Sequence, residues 1–186
     1  LELVDGNRLT LLGSGAGYFP ALLAAIEGAR TEIFIETYIF ADDDAGRAVA
    51  AALVAAAERG VTTHLVVDGF GVKRYFGALR AALEASPVQL LVYRPDITPF
   101  DFRRGRLRRL HRKLAVIDGE VAFVGGINVI DDYNCPGHTP PRVDFAVRVE
   151  GPLAAEVRAA TAELWLVVSW ASFRRRWTLP PPPVRG

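Results

Sequence analysis

His111 and Lys113 stand two residues apart in the run His111-Arg112-Lys113-Leu114-Ala115-Val116-Ile117-Asp118-Gly119. Leu114 to Ile117 reads as a strand, and a strand projects alternate residues from one face, so the imidazole and the ammonium share a side. Asp118-Gly119 is a two-residue hairpin signal, with Val121 to Val124 as the returning strand. That strand ends in Gly125-Gly126-Ile127-Asn128, where backbone can approach a ligand closely and offer amide N–H groups. An imidazole, an ammonium, free amides and an asparagine amide converging on one point suit an anionic, oxygen-rich group. A phosphate with a nucleophile beside it fits best.

The elements that must position this point alternate along the chain. Arg8 to Leu12 reads as a strand ending in Gly13-Ser14-Gly15, and Pro20 suits the first turn of a helix through Ala29. Glu32 to Phe40 is a β-branched and aromatic strand, and Asp42-Asp43-Asp44 caps a helix from Ala45 to Arg59 that Gly60 stops. A strand over Val61 to Val67, a helix over Tyr75 to Ala85 and a strand over Val88 to Tyr93 follow. Beyond the central hairpin lie a strand over Val143 to Val149 and a helix from Gly151-Pro152 to Trp170. The pattern predicts an α/β fold, a mixed β-sheet flanked by helices. The connection from Arg94 to Leu110 is long enough to be functional.

A chain of 186 residues with 51% apolar composition suits one domain, here 1–178, with a Pro-rich tail or linker at 179–186. The single Cys135 rules out an internal disulfide, and no carboxylate or histidine spacing matches zinc, so neither metal nor other cofactor is expected. The longest apolar run, Ala48 to Ala57, is a core helix rather than a membrane span. The chain holds no Met and does not begin with one. Its N-terminus is therefore expected to be a boundary in a longer protein, with any membrane segments outside it.

The pattern His-x-Lys, four residues, Asp, six residues, Gly-Gly-x-Asn resembles the signature of the phospholipase D superfamily. Ile35 to Phe40, Asp44-Ala45-Gly46, Asp68 to Gly71, His111 to Leu114, Phe123 to Asn128 and Asp144 to Pro152 resemble the N-terminal half of bacterial phospholipase-D-type cardiolipin synthases. The likeness runs from about Asn7 to about Trp165. It implies transphosphatidylation through a phosphohistidine, with cardiolipin formed from phosphatidylglycerol or a related phospholipid, or hydrolysis when water is the acceptor. Two-motif members need a second histidine motif, and neither His64 nor His138 has a Lys two residues on. The partner is then a second motif-bearing half or a second copy of the chain. The resemblance further implies a bacterial protein on the cytoplasmic side, peripheral to or anchored at the inner membrane.

On this reading His111 is the nucleophile, Lys113 and Asn128 hold phosphate oxygens with Gly125 and Gly126, and Asp144 matches the superfamily's tautomer-fixing carboxylate. Asp118 completes the motif, with a structural hairpin role as strong an alternative. Glu36, polar in an apolar strand, either faces the site or forms an ion pair. The run Arg103, Arg104, Arg106, Arg108, Arg109, Arg112 has no acid between Asp101 and Asp118. Arg109 and Arg112 are thereby candidates to line the site. Such a run is by default a solvated face; beside a phosphate site it attracts an anionic membrane surface, at about 1 kcal/mol per basic residue, or nucleic acid. Trp170 to Trp177 interleaves aromatics with cations, as an interfacial anchor or a basic helix end. Two alternatives stay open: a single-motif homodimeric phosphodiesterase or nuclease, and an inactive lipid-binding half.

Overall fold

The computed structural model describes residues 5–94, 109–135, 137 and 139–171. Arg103, Arg104, Arg106 and Arg108, His138, the stretch of the aromatic-cationic run after Ala171 and the tail at 179–186 lie outside the described residues.

Seven strands form one sheet in the order β1-β7-β6-β5-β2-β3-β4. They are β1 (Arg8–Gly13), β2 (Glu32–Thr37), β3 (Thr62–Asp68), β4 (Gln89–Tyr93), β5 (Leu114–Ile117), β6 (Val121–Gly125) and β7 (Phe145–Glu150). The pairs β2·β3 and β3·β4 are parallel and the remaining pairs antiparallel, so the expected mixed sheet is present. The parallel pairs arise where α2 (Asp44–Glu58) and the short α3 (Gly69–Val72) and α4 (Leu79–Glu84) supply crossovers. The antiparallel β5·β6 pair closes through Asp118-Gly119, both at positive φ (52° and 68°), as a two-residue hairpin requires.

Alternation along the strands sorts the two cores. Ile33 and Ile35 of β2, with Ala115 and Ile117 of β5, pack under α1 (Ser14–Gly28) and α2; Phe34 and Val116 face α5 (Pro152–Ala171). Helix α1 begins six residues before Pro20, contrary to the expected start. Its first amides find partners elsewhere in the chain: Ser14 N–H donates to Asp144 O at 2.8 Å and Gly15 N–H to Asp132 Oδ2 at 2.8 Å. A carboxylate at that end also suits the helix dipole. Strand β2 ends at Thr37 rather than Phe40, because Thr37 Oγ1 donates to Ile39 O at 2.8 Å and turns the chain. Phe40 instead forms a parallel bridge with Val129. Helix α4 is shorter than expected, and α3 was not anticipated.

The face under α5 carries polar groups within an apolar layer. Arg158 of α5 reaches Glu32 of β2 with Nε–Oε1 at 2.6 Å and Nη2–Oε2 at 2.9 Å. His64 is fully buried, stacked on Phe34 at 4.3 Å between ring centroids and edge-on to Trp165 at 4.4 Å. Neither ring nitrogen has a hydrogen-bond partner among the described residues. Burial, with the Arg158 charge adding to it, pushes the imidazole down to about 4. The unfolded chain takes up a proton below about 6.5 while the folded chain does not, so this residue costs stability as pH falls from about 6.5 to about 4. His64→Leu is expected to change stability by less than about 1 kcal/mol at pH 7. It should also flatten the decline on the acid side, which urea unfolding at pH 7 and pH 4.5 would measure.

Candidate active site

β5 begins only at Leu114, so Arg109 to Lys113 is an extended lead-in held to the sheet by Gly125 N–H donating to Lys113 O at 3.2 Å. His111 is exposed and Lys113 is 7% exposed. Lys113 Nζ lies 3.1 Å from His111 Nδ1, 3.2 Å from Nε2 and 3.0 Å from His111 O, to which it donates. The two side chains share a face, as their spacing predicts. Burial holds the Lys113 ammonium below the usual lysine range, and the nearby Asp144 charge opposes that shift. Tyr38, just after β2, closes the other side. Its ring centroid is 5.0 Å from that of His111, and Lys113 Nζ is 5.7 Å from it.

Asn128 Oδ1 accepts from Ile39 N–H at 3.0 Å. A backbone N–H can only donate, so the oxygen must face Ile39 and the Nδ2 donor is turned away from it. Residues 39–41 and 128–130 are stitched further by Ala41 N–H to Val129 O (2.8 Å) and Val129 N–H to Ile39 O (3.1 Å). This pairing brings the Gly-Gly-x-Asn turn beside Tyr38.

The two glycines play a different part from the one expected. Gly125 N–H is spent on Lys113 O and Gly126 N–H on Phe145 O at 2.9 Å, so neither amide is free to cradle a phosphate. Close packing requires the glycines instead. A Cβ on Gly125 would lie 2.4 Å from Phe145 O and 2.5 Å from Ala146 Cα; one on Gly126 would lie 2.1 Å from Asp144 Oδ1. The missing side chains thus let β7 and Asp144 approach Lys113. Asp144 Oδ1 accepts from Phe145 N–H at 2.8 Å, and no hydrogen bond joins Asp144 to His111 among the described residues.

Asp118 lies at the opposite end of β5 from His111. Its carboxylate accepts from Arg30 N–H (2.9 Å), Thr31 N–H and Oγ1–H (both 2.8 Å) and Glu32 N–H (3.0 Å), tying the α1–β2 connection to the hairpin. The structural alternative holds here, and the geometry keeps Asp118 away from the imidazole. Those donors hold its carboxyl below the usual carboxylate range, against the opposing effect of burial. The stability it confers is present above the ordinary carboxylate range and lost as pH falls through its lowered value. Asp118→Ala is expected to cost about 3 kcal/mol, from orphaned donors of a charge-assisted cluster, and thermal unfolding would read it.

Glu36 also departs from the site. It pairs with Leu114 across the sheet, two residues on from the Phe34–Val116 pair that faces α5, so it shares that face. There Arg112 grips it, Nε–Oε2 and Nη2–Oε1 both at 2.7 Å, while Arg112 Nη2 also donates to Ala160 O at 3.4 Å. Arg112 therefore points away from the His111 side. Burial raises the Glu36 carboxyl to about 7 even with Arg112 lowering it. Arg109 stacks its guanidinium 4.7 Å from the Phe70 ring centroid.

Two site-building residues were missed. The only signal for Tyr38 in the sequence is its place beyond a polar residue in an apolar strand. Asp68, fully buried, accepts from Phe70 N–H (3.0 Å), Gly71 N–H (3.2 Å) and Leu110 N–H (2.8 Å). It joins α3 to the segment that leads into His111; Asp before Gly-x-Gly after a strand is a capping pattern that could have flagged it.

Cardiolipin synthase B of Escherichia coli K12 is 36% identical over 173 residues, 93% of this chain and 41% of its own length. The Salmonella typhi protein of that name is 37% identical over 153 residues, 82% of this chain and 37% of its own length. The chain thus spans less than half of these curated relatives. Among solved structures, the phospholipase D family member Nuc from Salmonella typhimurium superposes with a TM-score of 0.65 at 22% identity, covering 89% of this chain and 95% of its own. NucT from Helicobacter pylori gives 0.66 at 15% identity, covering 88% and 96%. At such identities the likeness is one of fold. The family described as "Cardiolipin synthase, PLD-like domain" matches residues 22–136, which takes in β2 through the Gly-Gly-x-Asn turn. The matched span holds His111, Lys113 and Asn128 together, and the chain belongs to this cardiolipin-synthase group of phospholipase D-like domains.

Proposed function

We propose that this chain is one catalytic half of a phosphatidyltransferase that makes cardiolipin from phosphatidylglycerol or a related phospholipid. The observation that carries the reading is Lys113 Nζ at 3.1 and 3.2 Å from the two ring nitrogens of an exposed His111. An ammonium so placed can move onto a non-bridging phosphate oxygen as charge develops. The likeness to cardiolipin synthases supports phosphodiester transfer.

A ring nitrogen of His111 attacks phosphorus, forming the P–N bond as the P–O bond to the donor's glycerol breaks. The departing alkoxide takes a proton from a second histidine, supplied by a second motif-bearing half or a second copy of the chain. The hydroxyl of a second lipid headgroup gives its proton back to that histidine and forms the new P–O bond, which frees His111. Asn128 Nδ2 donates to the phosphate; Asp144 helps to keep Lys113 charged against its burial. Leu11, Val143 and Phe145, exposed near Asp144, offer apolar surface on which the second half can pack. No helix among the described residues is long and apolar enough to cross a membrane.

The test is to trap the intermediate. Protein carrying this chain with a second motif-bearing half is mixed with phosphate-labelled phosphatidylglycerol and quenched in alkali. Label that survives alkali, is released by acid and is absent from His111→Ala supports the phosphohistidine. Turnover without such label would overturn it.

A further inference from the structure

Behind Tyr38 lies an open pocket of about 620 Å³, lined by Tyr38, Ile39, Phe70, Gly71, Lys73, Arg74 and Tyr75. Its size suits a small ligand. Its described lining holds two cations and no carboxylate, and Lys73 and Arg74 are both exposed at its mouth. Among the described residues two acids stand beside this lining, and both carboxylates are engaged: Asp42, whose N–H donates to Tyr75 O, by Arg47 at 2.7 Å and Ala78 N–H at 3.2 Å, and Asp68 by the amides of Phe70, Gly71 and Leu110. A third cation, Arg109, lies over the Phe70 ring, and its Nη1 is buried with no hydrogen-bond partner among the described residues. The pocket is therefore a basic recess with aromatic walls.

Its connection to His111 is rigid. Tyr38 is a wall of the pocket on one side and the neighbour of His111 on the other, 5.0 Å between ring centroids. Gly71 lies hard against Tyr38: a Cβ there would come within 1.9 Å of Tyr38 O. Asp68 holds the amides of Phe70 and Gly71 and that of Leu110 at once, so α3 and the lead-in to His111 are one unit.

We propose that this recess binds the phosphodiester of a second phosphoglycerol, placing its free hydroxyl toward His111. The proposal rests on the reading of His111 as nucleophile and adds an acceptor subsite to it. Lys73 and Arg74 pair with the phosphate oxygens, Arg109 adds its charge, and Tyr38 and Tyr75 offer hydroxyls to the glycerol. A neutral acceptor such as water gains nothing from the cations, so the recess favours transfer over hydrolysis.

Glycerophosphoglycerol, the water-soluble headgroup diester, is titrated into the protein with backbone amide shifts followed by NMR. Saturable shifts centred on Gly71 and Tyr75 are expected. The double variant Lys73→Ala/Arg74→Ala, which alters two exposed side chains, should weaken binding about tenfold or more. Shifts that map elsewhere, or binding within about twofold of the parent in the double variant, would overturn the subsite. So would inorganic phosphate binding as tightly as the diester, or a short oligodeoxynucleotide binding more tightly through the same amides. Competition by phosphatidylglycerol vesicles, and none by phosphatidylcholine vesicles, assigns the diester to a lipid headgroup; retained binding without competition assigns it to a soluble glycerophosphodiester. Failure of the phosphohistidine trap with binding intact would remove the catalytic reading alone.

Discussion

Turnover in His111→Ala is expected to fall at least about a thousandfold, because the proposed covalent route is then closed and only positioning of the two substrates remains. Lys113→Met should cost about a hundredfold to a thousandfold. On the proposed mechanism it removes the charge that meets the phosphate, at a site where developing negative charge is poorly solvated, since Lys113 is 7% exposed. The two losses should not add. Nζ within 3.2 Å of both ring nitrogens makes the pair one unit, so a double variant should be scarcely worse than His111→Ala. Release of glycerol from phosphatidylglycerol, with each variant in the protein that carries both motif-bearing halves, measures this. Asn128→Ala should lose both activity and local order, because its Oδ1 also holds Ile39 N–H. Asn128→Asp separates the effects: it keeps the acceptor for Ile39 and removes the donor proposed for phosphate. A Lys113→Met protein that turns over at the parental rate would end the two-residue mechanism.

The largest effect on stability is expected under α5. Arg158→Met leaves the Glu32 carboxylate buried at 3% exposure without its bidentate partner, and about 3–5 kcal/mol of stability should be lost. Glu32→Met, which strands the guanidinium instead, should cost a similar amount. The double substitution fills the same volume with apolar groups beside Phe34, Val66 and Trp165, and most of the loss should be recovered. Urea unfolding of the four proteins in a double-mutant cycle yields the coupling. Single variants that lose less than about 1 kcal/mol would show that water reaches this pair. The sheet end at β2 would suffer first, because Glu32 N–H and Asp118 also meet there.

Much of the site could be read along the chain because it rests on local geometry. A spacing of two in an extended segment puts His111 and Lys113 on one side whatever surrounds them, and Asp-Gly between two apolar runs makes a hairpin through the positive φ that both residues tolerate. The same period-two rule, applied to Glu36, could not say which face of β2 meets the site, since β2 is buried on both faces. Only the packing of α5 on the Phe34 side decides that Glu36 answers Arg112. For the glycines, the residue type announced a close approach but not its partner. What approaches is β7 and Asp144, not a ligand, and that depends on which strand pairs with β6.

Residue types and their spacing thus determined the strand-and-helix alternation, the hairpin and the pairing of imidazole with ammonium. Each follows from backbone stereochemistry over a few residues. Tertiary structure alone decided what rests on groups far apart in sequence. Helix α1 starts at Ser14 because Asp132 and Asp144 O receive its first amides. Asn128 turns its amide donor away from Ile39 because that N–H claims its oxygen, and Asp68 fastens α3 to the His111 lead-in through Leu110. A buried backbone amide must find an acceptor wherever the fold offers one, and no local pattern in the chain specifies where that will be.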